Sequence, residues 1–166
     1  MTDDIKKRLD VVLVAGGKYH DIDFARLELL KLLAEDDRIR TRVYEDYSNL
    51  HAISNADFLI TYTCDVRPTL EQQKVLRDFV ANGKRWLALH GTNSILQFLS
   101  DGRVDCPRVA PIFMETLGSQ FLSHPPIEPY TVTVADGDHH LVEGVEPFET
   151  NDELYLMETH GELHVL

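Results

Sequence analysis

Short apolar runs that alternate with amphipathic segments restrict the fold of this chain more than any other feature. Residues 10–15 form a β-branched run that closes on Gly16 and Gly17, which is typical of a strand buried on both faces of a parallel sheet. Residues 39–44 and 57–62 repeat the pattern. Strands separated by helices predict a layered α/β domain with a largely parallel sheet and right-handed crossovers.

Two helices carry clear sequence signals. Asp21 or Asp23 can cap the first, and Thr69 with Gln72 forms a capping box for the second, which stops at Asn82. The apolar positions expected to face the core are Phe24, Leu27, Leu29, Leu30, Leu32 and Leu33 in the first helix, and Leu76, Phe79 and Val80 in the second. Further helices are predicted at 50–54, 94–99 and 112–117, and further strands at 85–90, 130–134, 154–158 and 162–166.

Length, charge and cysteine content narrow the class of protein. The 166 residues fit one core, and 43% hydrophobic residues are too many for a disordered chain. The net charge is −12 and the basic run at 6–8 is short, so nucleic acid and anionic membranes are poor partners. No stretch or leader pattern predicts membrane insertion. We expect a single cytoplasmic domain in which Cys64 and Cys106 are reduced.

Three loops follow strands and are the expected place for a ligand, because ligands of open parallel sheets gather at the carboxyl ends of strands. These loops cover 16–21, 63–67 and 90–93. None has the glycine spacing of a phosphate-binding or dinucleotide-binding loop. His90 stands at the turn where a hydrolase or amidotransferase of this architecture presents serine or cysteine. Ser94 and Cys64 have no identifiable base and are weak candidates for a nucleophile.

The sequence predicts that Thr92 caps the 94–99 helix, so that the helix N-terminus keeps His90 neutral. Adjacent strands would bring His20 into the same pocket. His124 is held by a following proline, and Glu153 stands with another carboxylate at the start of a strand. Such a set suffices either for a divalent metal such as zinc or for acid–base catalysis on a neutral polar substrate. The spacing does not decide between them.

A further histidine pair lies in the segment 136–144. One of His139 and His140 could face the site and the other could face solvent. Ordinary turn chemistry, with Asp138 capping a short helix, is the competing interpretation.

Several ordered motifs run through the chain. They are Gly-Gly-Lys-Tyr-His-Asp at 16–21, the helix entry at 69–72 with Phe-Val-Ala-Asn-Gly at 79–83, Leu-His-Gly at 89–91, Phe-Leu-Ser-His-Pro at 121–125, Asp-His-His-Leu-Val-Glu-Gly at 138–144 and Asp-Glu-Leu-Tyr at 152–155. Together they resemble the trehalose-utilisation or ThuA-like family, a branch of the class I glutamine amidotransferase-like superfamily. The resemblance extends from about residue 11 to 155.

The resemblance implies a flavodoxin-like three-layer α/β/α sandwich without glutaminase activity, because His90 replaces the amidotransferase cysteine. It also implies a sugar-processing, hydrolase-like enzyme that acts on trehalose-like disaccharides or their keto derivatives. The alternative is a non-catalytic module of the same fold that senses sugars or binds a partner. A flavin-binding redox domain is disfavoured, since no aromatic-rich flavin loop is present.

The motif positions assign candidate roles. The catalytic candidates are His90, His20, Glu153 and Asp152; the substrate-binding candidates are Gly17, Tyr19, Thr92, Asn93, His124, His139 and His140; the metal-ligand candidates are His20, His90 and His124. Family members usually continue past the last residue here, so we expect residues 1–166 to lack the usual C-terminal part. A sheet edge exposed in this way would favour a homo-oligomer.

Overall fold

The computed structural model describes residues 7–166. Residues 1–6, the start of the stretch tested for a leader pattern, lie outside the described residues. The elements are β1 (Leu9–Gly17), α1 (Ile22–Leu33), β2 (Ile39–Tyr44), α2 (Leu50–Asn55), β3 (Phe58–Cys64), α3 (Leu70–Ala81), β4 (Arg85–Ala88), β5 (Gln97–Phe98), β6 (Val104–Asp105), α4 (Pro111–Leu117), β7 (Ser119–Ser123), β8 (Glu128–Val132), a 3-10 turn (His140–Val142), β9 (Phe148–Asp152) and β10 (Leu156–Thr159).

The central sheet has four strands in the order β2-β1-β3-β4. Every pairing in it is parallel, which confirms the predicted α/β class. Three two-stranded antiparallel ribbons, β5–β6, β7–β10 and β8–β9, follow in the second half of the chain. Strands β2 and β4 are the edges of the sheet within residues 7–166, and self-association through them stays a prediction.

The layers follow from the side-chain alternation of β1. Val11, Leu13 and Ala15 pack with α1 on one face of the sheet. Val12 and Val14 point to the other face and pack with α2, α3 and α4. The apolar run at 11–15 of β1 is therefore buried on both faces of the sheet, as its composition predicts. The result is the predicted three-layer sandwich.

The apolar face predicted for α1 is only partly correct. Leu29, Leu30 and Leu33 pack against the sheet, but Phe24 and Leu27 are 63% and 52% exposed, and Leu32 is also exposed. The inward positions repeat at helical spacing from residue 29 to 33, whereas residues 24 and 27 fall on the opposite side of the helix. In α3, Leu76 and Phe79 are buried as predicted, but Val80 is 38% exposed.

The capping box of α3 is present. The Thr69 hydroxyl accepts a hydrogen bond from the Gln72 amide, and the Gln72 side chain accepts one from the Thr69 amide. We expect Thr69→Ala to lower the free energy of unfolding by about 1 kcal/mol. Urea denaturation of Thr69→Ala, Gln72→Ala and the double variant measures the coupling, and additive losses would contradict a reciprocal cap.

The prediction of a helix at 94–99 is wrong. Residues 94–96 have no regular secondary structure, and β5, which follows them, pairs with β6. The Leu96 amide donates to Asp65 at 3.1 Å, and its carbonyl accepts from Arg67. Because these side chains form hydrogen bonds with the backbone N–H and C=O of Leu96, those two groups do not need partners within a helix. Thr92 therefore caps no helix.

Two smaller predictions near the end of the chain are also wrong. The 3-10 turn is capped by His139, whose Nδ1 accepts from the Leu141 amide, and not by Asp138. Residues 162–166 form no strand in the described structure.

None of the helices between residues 7 and 166 combines the length and apolar character needed to cross a bilayer.

Candidate functional site

Two loops of the main sheet and the turn between β9 and β10 form the candidate site. His20 lies on the loop after β1, and its carbonyl accepts from the Ile22 amide at the start of α1. His90 follows β4, and Glu153 follows β9 directly. Pairing of β10 with β7 holds the Glu153 turn in place, and the Phe121 amide of β7 donates to the Asn93 carbonyl. The site therefore joins distant parts of the sequence.

Three atoms at this site form a compact triangle. His20 Nε2 lies 3.0 Å from His90 Nε2. Glu153 Oε2 lies 3.3 Å from His90 Nε2 and 3.7 Å from His20 Nε2. All three side chains are partly buried. Two imidazole nitrogens this close need either a shared proton or a cation between them, since two lone pairs repel.

Tyr155 adds a fourth polar atom to the triangle. Its hydroxyl lies 3.1 Å from His90 Nε2, and its ring packs against Phe121 with centroids 4.3 Å apart. A ring nitrogen offers one hydrogen or one lone pair. His90 Nε2 faces three polar atoms, more than it can satisfy alone.

The two histidines come from strands that are not adjacent. The prediction of a shared pocket is met in the structure, but the assumed neighbouring strands are wrong, because β3 lies between β1 and β4. The His20 and His90 rings meet above the end of β3, beside Tyr62. A Cβ atom on Gly91 would lie 2.7 Å from the Thr63 carbonyl and 3.4 Å from His20 Cε1. Glycine at this turn therefore permits the approach.

Asp65 ties the loops of the site together. Its buried carboxylate accepts from Lys18 at 3.0 Å and from Arg67 at 3.2 Å, besides the Leu96 amide. Burial opposes ionisation, but these three donors lower the pKa of Asp65 below its ordinary value. Asp65 and Tyr19 are the two non-glycine residues with positive φ among residues 7–166, and both flank the site. Backbone strain at such positions persists only where surrounding contacts hold it.

The neutral state of His90 has a different cause from the predicted helix N-terminus. Burial of the ring lowers the pKa of His90, and the neighbouring His20 lowers it further. Glu153 and Asp152 act in the opposite direction without reversing the shift. A neutral imidazole can accept a proton or bind a metal.

This shift predicts a pH dependence of stability. With the folded pKa of His90 below its ordinary 6.5, the unfolded chain binds more protons as the pH falls through 6.5, so the metal-free fold loses stability there. Urea denaturation at pH 7.5, 6.5 and 5.5 should show a smaller loss in His90→Ala than in the unchanged chain. His51→Ala, at an exposed position of α2, is the matched control. Equal losses in His90→Ala and the unchanged chain would contradict the assignment.

Cys64, one of the two weak nucleophile candidates, gains no support from the structure. Burial raises the pKa of the Cys64 thiol to about 12, with Asp65 adding to the shift. A thiol that stays protonated is a poor nucleophile. Cys64 and Cys106 are both free, as predicted.

A cavity of about 410 Å³ opens beside the triangle. His20, Glu153 and Tyr155 lie at its wall together with His124 and Ser94. The remaining wall is mainly apolar and aromatic: Tyr19, Leu96, Phe98, Val104, Phe121 and Leu122. A smaller cavity of about 230 Å³ is lined by His90 and Tyr155. The triangle is therefore accessible to small molecules.

Two more predicted residues adjoin the triangle. His124 Nε2 lies 3.5 Å from the outer oxygen of Glu153, Oε1, so Glu153 rather than His124 completes the group of possible metal ligands with His20 and His90. Asp152 is exposed and accepts a hydrogen bond from the Glu153 amide at 2.8 Å. It ends β9 instead of beginning the next strand, and so it shapes the turn that presents Glu153.

Three predicted substrate-binding residues are engaged within the fold. The Gly17 backbone approaches the Cys64 carbonyl too closely for a Cβ atom. Thr92 is buried and its hydroxyl lies 3.1 Å from that of Thr61. The side-chain amide of Asn93 donates a hydrogen bond to the Ser119 hydroxyl at 2.9 Å. Thr92 and Asn93 also line the smaller cavity, and substrate contact by these residues stays a prediction.

His139 and His140 lie elsewhere. They line a separate open cleft beside the 3-10 turn, and the His139 ring packs against His164, which contacts Asp136 at 2.8 Å. The structure does not bring this pair to the triangle.

In the sequence analysis Tyr155 is part of a motif but is assigned no role in the site. A signal was available, because Glu153 and Tyr155 are two residues apart at the start of a predicted strand, where residues with that spacing point to the same side. Tyr62 was likewise missed, although it is the last residue of the predicted strand 57–62 and its ring lies beside both histidine rings.

The fold and site define an α/β protein of the open parallel-sheet class with a polar cluster at the carboxyl ends of its strands. The sequence model of the ThuA family, described as trehalose utilisation, matches residues 10–166, and the chain belongs to this family. A crystal structure of a protein from Bacteroides uniformis described as ThuA-like superposes with a TM-score of 0.70 at 16% identity. The match covers 91% of this chain and 62% of that one, so this chain spans less than two thirds of that relative's length. No curated protein matches the chain.

Proposed function

We propose that this protein is a metal-dependent enzyme that acts on a small carbohydrate, with a divalent cation such as zinc held by His20, His90 and Glu153. The observation that carries the proposal is the triangle of two imidazole nitrogens and one carboxylate oxygen beside a cavity. Membership of the trehalose-utilisation family supports a role in carbohydrate metabolism. Trehalose-like disaccharides and their keto derivatives are the proposed substrates.

The size of the triangle fits a metal. Zinc binds nitrogen and oxygen ligands at about 2.0–2.2 Å, so two ligands of a tetrahedral site lie about 3.3 Å apart. The three edges here are 3.0, 3.3 and 3.7 Å. Two histidines and one glutamate form a recognised ligand set for catalytic zinc, which leaves a fourth position for water or substrate. The lowered pKa of His90 favours the unprotonated ring that a metal requires.

The residues of this chain have separable tasks in such an enzyme. A divalent cation bound there would supply Lewis-acid chemistry to a carbonyl or hydroxyl oxygen of the sugar. His20 and His90 would hold that cation and orient the substrate, and Glu153 would add the negative charge of the ligand set. Tyr155 can donate a hydrogen bond to a substrate oxygen, since burial raises its pKa and keeps the phenol protonated. His124, on the outer oxygen of Glu153, orients that carboxylate.

A cysteine-based glutaminase is not part of the proposal. His90 occupies the turn where amidotransferases of this architecture carry the nucleophile, and the pKa of the nearby Cys64 is raised. The mechanism therefore depends on imidazole and carboxylate groups.

Turnover tests the proposal directly. Metal-depleted and zinc-loaded protein are incubated with trehalose and its keto derivatives, and the sugars are followed by carbon NMR. We expect product with the zinc-loaded chain and none with Glu153→Gln. Binding without product over hours would support the non-catalytic sugar-sensing module and overturn the enzymatic proposal.

A further inference from the structure

Two aromatic rings lie side by side in the wall of the larger cavity. The Tyr19 and Phe98 rings have centroids 5.5 Å apart and planes inclined by 49°. Both residues line the cavity together with His20 and Glu153, yet each is 58% exposed. Aromatic side chains contribute most when their faces are covered. A pair that is open to solvent in a cavity wall therefore indicates a binding surface.

The backbone of Tyr19 gives a second, independent indication. Its φ is +69°, in the left-handed region that bulky side chains rarely adopt. The loop is held in this conformation by its neighbour Lys18, whose amide donates to the Cys64 carbonyl at 3.0 Å and whose Nζ donates to Asp65 at 3.0 Å. Backbone strain of this kind clusters at positions that bind ligands.

Phe98 is fixed by separate contacts. It lies opposite Val104 in the β5–β6 ribbon, and the Leu96 amide just before the ribbon donates to the Asp65 carboxylate at 3.1 Å. The same carboxylate binds Lys18, next to the tyrosine. One buried group thus ties both rings together, so the pair is arranged before any ligand arrives.

The rest of the wall indicates a neutral ligand that has both an apolar face and hydroxyl groups. Ser123, His124 and Tyr155 bring hydrogen-bonding groups to the same cavity. Among the described residues that line it there is no lysine or arginine, so a phosphorylated sugar would lose hydration without gaining a cation. A pyranose ring meets both requirements, because its C–H groups form an apolar face and its hydroxyls project from its edge.

The exposure of the two rings suits such a ligand. Each ring is more than half open to solvent, so a sugar that packs on them keeps its outer hydroxyls in water. Stacking on these rings therefore covers apolar surface without burying unpaired polar groups.

We propose that Tyr19 and Phe98 form a stacking platform for one pyranose ring of the disaccharide, with the C–H face of the sugar against the two aromatic rings. This inference rests on the proposed function, from which the disaccharide is taken, and names the residues that hold it. Tyr19 was a substrate-binding candidate from its motif. The structure adds Phe98, because the β5–β6 ribbon forms where a helix was predicted.

Calorimetric titration with trehalose, on the metal-free and the zinc-loaded chain, measures the contribution of each ring. We expect Phe98→Leu to weaken trehalose binding by about fivefold and Phe98→Ala and Tyr19→Ala by about tenfold, because an aromatic contact contributes beyond the apolar area that leucine retains. Phe98→Tyr and Tyr19→Phe keep a ring and should bind within about twofold of the unchanged chain. Phe24→Ala is the matched control, since Phe24 is 63% exposed on α1 and lies outside the cavity wall, and it should leave the affinity unchanged.

Saturation-transfer NMR on the unchanged chain tests the platform without any substitution. The C–H protons on one face of the pyranose ring should receive the strongest saturation. Uniform saturation of the sugar would overturn the platform, as would an absence of trehalose binding.

The same titrations separate the platform from the proposed function. Trehalose affinity unchanged in both Phe98→Leu and Tyr19→Ala would remove the platform, and zinc-dependent product would leave the metal-dependent function standing. A chain that makes no product with zinc, yet loses trehalose affinity in these variants, would end the proposed function and keep the platform.

Discussion

Removing the His90 imidazole is expected to weaken zinc binding strongly and to abolish turnover while leaving the fold intact. His90 Nε2 is a corner of the triangle and also faces Tyr155, so its loss removes one of three protein ligands. We expect His90→Ala to weaken zinc binding by more than about 100-fold, since even residues that only support a ligand contribute 10–100-fold. Competition with a chromophoric chelator measures the affinity, and carbon NMR measures turnover.

The fold should tolerate this change, because the His90 side chain is 31% exposed and lies on a turn. We expect the melting temperature of metal-free His90→Ala to stay within about 3 °C of the unchanged chain. His51→Ala, on an exposed part of α2, should alter neither zinc binding nor melting. A His90→Ala chain that melts much earlier yet binds zinc normally would show that His90 is structural.

A methyl group at Gly17 is expected to cause the largest loss of stability of any single change discussed. Gly17 has a φ of +109° and a Cβ atom there would lie 1.9 Å from the Cys64 carbonyl oxygen. Gly17 pairs with Cys64 where β1 meets β3, so neither backbone can move without disturbing the parallel ladder. We expect Gly17→Ala to lower the free energy of unfolding by more than about 3 kcal/mol.

Gly137→Ala is the matched control, since a Cβ atom there meets nothing within 4 Å. Urea denaturation of the two variants should separate a large loss in the first from little change in the second. A Gly17→Ala chain of normal stability that has lost sugar binding would instead support the substrate-contacting role that the sequence motif gave to Gly17.

The parts of the fold that sequence reasoning predicted are those with strong local signals. The apolar run of β1 predicted a doubly buried strand, and the Thr69–Gln72 pair predicted where α3 begins. Both signals are contained within a few residues and need no knowledge of distant contacts. The parallel sheet follows from the order of such segments.

The helix predicted at 94–99 failed because tertiary contacts decided its conformation. Asp65 and Arg67 are about 30 residues away in sequence and bind both backbone groups of Leu96. Helical composition in a short segment is a weak preference that such contacts override. The same limit applies to His90. Its neutral state was predicted from the N-terminus of the 94–99 helix, and the structure has no helix there.

The residue types of the site were accessible from the sequence, but their arrangement was not. His20, His90 and Glu153 were all named as candidates, yet His124 was placed among the metal ligands instead of Glu153. The turn between β9 and β10 decides this choice, because it points one oxygen of Glu153 at the triangle and the other at His124. Antiparallel pairing across more than 30 residues sets that turn, and no local pattern predicts it.

A crystal structure of zinc-loaded protein, with anomalous data on both sides of the zinc absorption edge, tests the central claim most directly. The account predicts one strong anomalous peak about 2.0–2.2 Å from His20 Nε2, His90 Nε2 and Glu153 Oε2. A map without a peak at that position, in crystals where the two imidazoles remain in direct contact, would contradict it.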